Sequence, residues 1–161
     1  MAPDPSPDDV VVETWIAAPP EAVFPYLTDP RLMVRWFGVV AEIDARPGGV
    51  FRVQVNGRDW ASGRYAEVDP PRRVAFTWGW EGPLGSRHGV PPGSTTVTID
   101  LAPENGGTRV TLRHSGLGGD TARDHEHGWT HYASRLKIAG EGGDPGVDPF
   151  VTAAAARPST S

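Results

Sequence analysis

The sequence predicts an α+β fold: a curved antiparallel β-sheet wrapped around a long C-terminal helix, with two short helices after the first strand. Three observations support this prediction. Segments in which apolar and polar residues alternate follow one another along the chain, separated by turns rich in Gly, Pro and Asn. A stripe of apolar residues at helical spacing occurs near the end of the chain, and two short segments that begin with proline follow the first strand. Consecutive hairpins make a sheet antiparallel, and its apolar face needs the helix as a cover.

The two short helices are predicted between the opening strand, residues 10–17, and the rest of the sheet. The first helix is expected over residues 20–27, where proline fits the first turn but Pro25 lies deep enough to kink or shorten it. A Thr-Asp-Pro sequence ends it, and the second helix is expected over residues 30–37. Short helices between strands indicate a lid over a sheet that encloses space.

Six further strands are predicted as a meander. The clearest contains Phe51, Val53 and Val55 in alternation with polar residues, the period of two that marks a half-buried strand. The following Asn-Gly pair is a hairpin signal. Residues 82–93 are rich in Gly and Pro and are predicted to form a mobile loop. The six predicted strands are residues 39–45, 50–56, 59–68, 73–81, 94–101 and 108–114.

The long helix is predicted over residues 120–139, because apolar residues recur there at helical spacing. The inward stripe is His125, Trp129, Tyr132, Ala133 and Leu136. The opposite face is Asp124, His127, His131 and Arg135, and it is expected to point to solvent.

The two ends of the chain are predicted to be disordered tails. Residues 1–9 are acidic and Pro-rich, and residues 141–161 combine a Gly/Asp/Pro run with an Ala-rich end. These tails leave one domain over residues 10–140, which is long enough to bury a core of its own.

The composition disfavours several classes of partner and chemistry. The 161 residues have a net charge of −5, and Lys137 is the single lysine, so the concentrated positive face that nucleic acids or anionic membranes need is not expected. With no cysteine, disulfides and thiolate chemistry are excluded. No apolar run reaches the roughly 20 residues of a membrane helix, and the first residues are unlike a signal peptide. The expected protein is cytoplasmic, and because no phosphate-binding or dinucleotide-binding glycine motif opens a helix, no cofactor is expected.

Several motifs together resemble a known family. The sequence is similar to the START/Bet v-like (SRPBCC) superfamily, which has the helix-grip fold, and most similar to its heat-shock-protein-90 ATPase activator homologue-like group. The resemblance covers about residues 10–140. It implies a cavity between the sheet and the long helix, which in relatives takes apolar molecules. Some relatives are cyclases or dehydratases, some are carriers, and the founding group assists a chaperone. The matching segments are residues 18–24, 27–30, 36–37, 46–51, 67–78, 128–129 and Leu136.

The inward-facing residues are the candidate ligand contacts, and a filled core is the alternative. His114 and His125 are also candidates for acid–base catalysis, the alternative being histidines satisfied by a backbone carbonyl or placed at the solvent edge. Arg64 and Arg113 are candidate anion partners at the cavity mouth. The candidate ligand contacts are Trp36, Phe37, Phe51, Val53, Trp78, Trp80, Val97, Val110, His114, His125, Trp129, Tyr132 and Leu136.

A metal site is the weaker interpretation of one helical face. Asp124, His127 and His131 share that face, and two histidines four residues apart can chelate a metal. A zinc site needs three or four ligands and the face is expected to be solvated, so no metal is predicted.

The favoured function is binding of a small apolar or aromatic molecule between the sheet and the C-terminal helix. One alternative is a polyketide cyclase or dehydratase-like enzyme that uses a histidine as acid or base. The other is a chaperone-cofactor or interaction module with a protein partner, or a homodimer. An interaction module predicts an exposed apolar or charged patch and a filled interior.

Overall fold

The computed structural model describes residues 9–156, except for the side chains of residues 86, 87 and 154–156. Seven strands form one antiparallel sheet in the order β1-β7-β6-β5-β4-β3-β2. The sheet is therefore a meander from β2 to β7, with β1 added beside β7. The strands are β1 (Val10–Ile16), β2 (Val40–Ile43), β3 (Val50–Gln54), β4 (Trp60–Asp69), β5 (Arg73–Trp78), β6 (Thr95–Glu104) and β7 (Gly107–Ser115).

The predicted helix-grip α+β fold is confirmed. The long helix α4 (Gly119–Gly140) packs against the curved sheet and buries Trp129, Tyr132 and Leu136, as its apolar stripe predicts. The inward-facing residues of the strands form the opposite side of the core. The core therefore lies between the sheet and one helix.

The two predicted short helices are shorter than expected. Helix α1 (Pro20–Val23) passes into a 3₁₀ turn (Phe24–Leu27), and α2 (Pro30–Met33) follows. Because Pro25 has no N–H to donate, it fits the tighter turn and not the interior of a longer α-helix. The lid, residues 20–37, is fastened to the sheet by the buried Tyr65 hydroxyl, which donates to the Leu27 carbonyl at 2.9 Å.

Residues 82–93 differ from the predicted mobile loop. Helix α3 (Gly82–His88) has proline in its first turn and ends at Gly89, whose φ of 68° is left-handed. After it, Val90 is buried and its carbonyl accepts a hydrogen bond from the Trp80 N–H at 2.7 Å. The Gly and Pro residues thus begin and end a short helix that is tied to the sheet.

The C-terminal segment also differs from the expected tail. Residues 141–148 lead into helix α5 (Pro149–Ala156), which is capped by Asp148 through a 2.9 Å hydrogen bond from the Phe150 N–H. Composition alone predicts disorder here. The segment is ordered by hydrogen bonds to the buried side chains of Arg135 and Asp148, which composition does not show. The remaining parts of the predicted tails, residues 1–8 and 157–161, lie outside the described residues.

Candidate ligand-binding cavity

A cavity of about 380 Å³ lies between α4 and the sheet, which is within the usual size range for small-molecule sites. The sheet contributes residues from the end of β5 and from the β3–β4 turn. Helices α3 and α5 add the remaining walls. The residues that line the cavity are Phe37, Val55, Asn56, Asp59, Trp78, Trp80, Leu84, His88, Thr121, Asp124, His125, Gly128, Trp129, Tyr132, Phe150 and Ala153.

The inner wall of the cavity is a cluster of aromatic rings centred on Phe37. Its ring centroid lies 4.9 Å from that of Tyr132, 5.2 Å from that of Trp129 and 5.9 Å from that of Trp78. The rings of Trp78 and Trp80 meet edge to face at 5.4 Å. Because each ring packs on others, the wall is apolar and held in place before any ligand arrives.

The structure divides the predicted ligand contacts into two groups. Six line the cavity, and the others fill the core beside it. Phe51, for example, stacks on Phe76 at a centroid distance of 3.9 Å. Strand periodicity identifies the inward face, but the cavity occupies only one end of that face. The lining residues among those predicted are Phe37, Trp78, Trp80, His125, Trp129 and Tyr132. The core residues are Trp36, Phe51, Val53, Val97, Val110, His114 and Leu136.

Sequence reasoning missed the cavity residues on α3 and α5. Leu84 and His88 lie in the segment expected to be a loop, and Phe150 and Ala153 lie in the segment expected to be a tail. The available signals were an Asp-Pro start for α5 and a proline followed by a terminal glycine for α3.

His114 is fully buried, and both of its ring nitrogens have partners within the core. The Trp129 indole N–H donates to His114 Nδ1 at 2.9 Å. The Thr95 hydroxyl donates its hydrogen to the Trp78 carbonyl, so at 2.8 Å it accepts from His114 Nε2. These contacts select the neutral Nε2–H tautomer. Burial lowers the pKa of His114 to about 3, and the neighbouring His125 acts in the same direction.

His125 lines the cavity, but both of its nitrogens are also engaged. Its Nδ1 donates to the Thr121 carbonyl at 2.8 Å, and its Nε2 accepts from the Trp80 indole N–H at 3.0 Å. Burial lowers the pKa of His125, although the Thr121 hydrogen bond opposes the shift. In this arrangement neither candidate histidine offers a free nitrogen to a substrate, so proton transfer through His125 would first require Trp80 to move.

Trp78 is a cavity residue with an unsatisfied polar group. Its indole Nε1 is buried and has no hydrogen-bond partner among the described residues. A buried donor without an acceptor costs roughly 1–3 kcal/mol. The nitrogen has almost no accessible surface, so a molecule in the cavity does not reach it in this arrangement.

The predicted metal-site residues do not converge. Asp124 lines the cavity, the His127 ring faces the Phe150 ring at 5.8 Å, and His131 Nε2 donates to Asp148 at 2.7 Å. Within residues 9–156 no group of three or more His, Cys, Asp or Glu side chains could hold a metal ion.

The predicted anion partners at the mouth, Arg64 and Arg113, do not line the cavity. The Arg64 guanidinium instead donates to the Gly48 carbonyl at 3.0 Å. The polar residues at the cavity are Asn56, Asp59, His88, Thr121, Asp124 and His125.

Across the part of the chain that the structure describes, no helix has the length and apolar character needed to cross a membrane.

Solved structures that resemble this chain include the following three. An AHSA1-like protein from Rhizobium etli, solved by NMR, is 45% identical with a TM-score of 0.67, over 91% of each chain. CalU16 from Micromonospora echinospora is 28% identical with a TM-score of 0.69, over 90% of this chain and 80% of CalU16. DynU16, a protein of the dynemicin biosynthetic locus, is 28% identical with a TM-score of 0.71, over 89% of this chain and 49% of DynU16. This chain thus spans about half of DynU16.

A comparison with curated protein sequences finds no match. A family model does match: residues 17–141 of the 161 fit the family described as Activator of Hsp90 ATPase homolog 1-like protein. The matched region begins directly after β1 and contains β2 to β7 and α4. The predicted resemblance is thereby confirmed, and the chain belongs to the Activator of Hsp90 ATPase homolog 1-like family within the SRPBCC superfamily.

Proposed function

We propose that this protein binds a small apolar or aromatic molecule in the cavity between the sheet and α4. The observation that supports this proposal most directly is the preformed cavity of about 380 Å³ with its wall of packed aromatic rings. A ligand that buries about 200 Å² of apolar surface there would gain roughly 5 kcal/mol before the costs of ordering.

The relatives are compatible with such a ligand. DynU16 is described as a protein of the dynemicin biosynthetic locus, which associates one relative with the making of a natural product. The family description instead points to activation of a chaperone ATPase, and that function would need a protein-binding surface. An interaction module was expected to have a filled interior, so the cavity favours the ligand-binding proposal. The cyclase or dehydratase alternative is less favoured because His114 and His125 are both engaged.

Gly128 offers a direct test of the proposal. It lies within α4 and lines the cavity, and a Cβ atom at this position would meet nothing within 4 Å. Gly128→Leu should therefore fill part of the cavity without a clash. We expect it to weaken binding of the fluorescent probe 1-anilinonaphthalene-8-sulfonate by roughly tenfold or more. Removing a glycine from a helix interior should also stabilise the protein by up to about 1 kcal/mol.

The measurement is a fluorescence titration of the probe, combined with urea unfolding of each variant. Gly128→Ala is the small-volume control and should bind nearly as well as the unmodified protein. Thr130→Leu is the second control, because Thr130 is an exposed residue of the same helix that does not line the cavity. Failure of the unmodified protein to bind any aromatic probe, or equal binding by Gly128→Leu, would contradict the proposal.

A further inference from the structure

The C-terminal segment supplies part of the cavity wall although it lies beyond the family match. The match ends at residue 141, whereas Phe150 and Ala153 of α5 both line the cavity. The ring of Phe150 stacks on His131 at 4.1 Å and meets Tyr132 edge to face at 5.8 Å. This aromatic side chain is thus held at the cavity by residues of α4.

Two buried charged residues hold this segment in place. Within the described part of the chain, Arg135 and Asp148 are the charged residues that are buried, with exposures of 9% and 7%. Arg135 donates to the carbonyls of Pro145 at 3.3 Å and Gly146 at 3.0 Å. A third bond, at 3.2 Å, joins it to the carbonyl of Trp36 in the lid.

Asp148 holds the C-terminal end of the segment that joins α4 to α5. Its carboxylate accepts hydrogen bonds from the Tyr132 hydroxyl at 2.9 Å, from His131 Nε2 at 2.7 Å and from the Phe150 N–H at 2.9 Å. Burial raises the pKa of Tyr132, and Asp148 acts in the same direction, so the hydroxyl stays a donor. Burying an ion is costly unless its partners are well placed, and here both buried ions hold the same short segment.

We propose that residues 145–153 are a cavity cover that contacts the bound ligand through Phe150 and slows its release. Asp148 is the positioning residue that fastens this cavity cover to α4. The inference rests on the proposed ligand binding. It adds that retention of the ligand depends on a segment outside the part of the chain that matches the family model.

The test combines two measurements on the full chain. Hydrogen exchange followed by mass spectrometry reports whether the cavity cover is fastened, and it needs no ligand. Stopped-flow dissociation of 1-anilinonaphthalene-8-sulfonate reports retention. Asp148→Ala should raise exchange across residues 145–156 while the strands stay protected, and it should speed probe dissociation by roughly fivefold or more.

Two further variants separate fastening from contact. Asp148→Asn keeps an oxygen that can cap α5, so its effects should be intermediate. Phe150→Ala keeps the Asp148 hydrogen bonds and should leave the exchange of residues 145–149 near that of the unmodified protein, yet it should also speed dissociation. Thr152→Ala is the matched control in α5, because Thr152 is exposed and does not line the cavity; it should change neither measurement.

The outcomes distinguish this inference from the proposed function. Should Asp148→Ala loosen the segment while the probe dissociates at an unchanged rate, the cavity cover has no role in retention and ligand binding still stands. Unchanged exchange in Asp148→Ala would overturn the positioning role. Absence of probe binding in every protein would overturn both ligand binding and the inference. If Asp148→Ala does not fold, Asp148→Asn and Phe150→Ala decide the question.

Discussion

Replacement of His114 by alanine should lower the free energy of unfolding by about 3 kcal/mol, because it leaves a buried donor unsatisfied and opens a cavity in the core. The donor is the Trp129 indole N–H, which has His114 Nδ1 as its acceptor. Thr95 would lose the hydrogen bond from Nε2 but keep its own bond to the Trp78 carbonyl. The loss should therefore come mainly from Trp129 and from the missing ring volume.

Urea unfolding followed by tryptophan fluorescence and by circular dichroism measures this loss. His127→Ala is the matched control, since His127 is exposed on the same helix as Trp129, and it should change stability by no more than about 0.5 kcal/mol. A loss below about 1 kcal/mol for His114→Ala would mean that the Trp129–His114–Thr95 network contributes little to the fold.

The second large effect is acid destabilisation that depends on His114. Its pKa is about 3 in the folded protein, against an ordinary value of 6.5, because burial disfavours the imidazolium. Between these values the unfolded chain binds more protons than the folded one. Stability is therefore fully present above about pH 6.5 and is lost as the pH falls towards 3, by at most about 1.4 kcal/mol per pH unit for this group.

Unfolding free energies measured from pH 7 to pH 4 test whether stability falls as the pH is lowered. His114→Gln removes the titrating group and should have a clearly shallower slope between pH 6.5 and 4.5, where ordinary carboxylates contribute least. Some slope should remain, because burial also lowers the pKa of His125. Parallel slopes for His114→Gln and the unmodified protein would show that His114 does not titrate as the burial argument requires.

Much of the fold could be predicted from the sequence because its signals are local. Alternating residues such as Phe51 and Val53 define the inward face of a strand, and the spacing of Trp129, Tyr132 and Leu136 defines the buried face of a helix. These periodicities depend only on neighbours along the chain. They predict the architecture, but they do not show where along the inward face the cavity lies.

The candidate site was harder to predict because its chemistry depends on contacts between distant segments. Strand alternation predicts that His114 points inward, and helical spacing predicts the same for His125. Their hydrogen-bond partners Thr95 and Trp80 lie on other elements. Arg135 was expected on a solvated face, yet it is buried because residues 145–146 return over it. Helical spacing alone does not show which segment will cover a polar face.

Arg135 joins three parts of the chain that are far apart in sequence: α4, the end of the lid at Trp36, and the carbonyls of Pro145 and Gly146. A protein shortened to the family match at residue 141 would leave this guanidinium with one of its three carbonyl partners. We infer that the smallest independently stable unit of this protein is longer than the region that the family model matches. The boundary of a family, drawn from shared sequence, and the boundary of a folding unit, set by where buried charges find their partners, need not coincide.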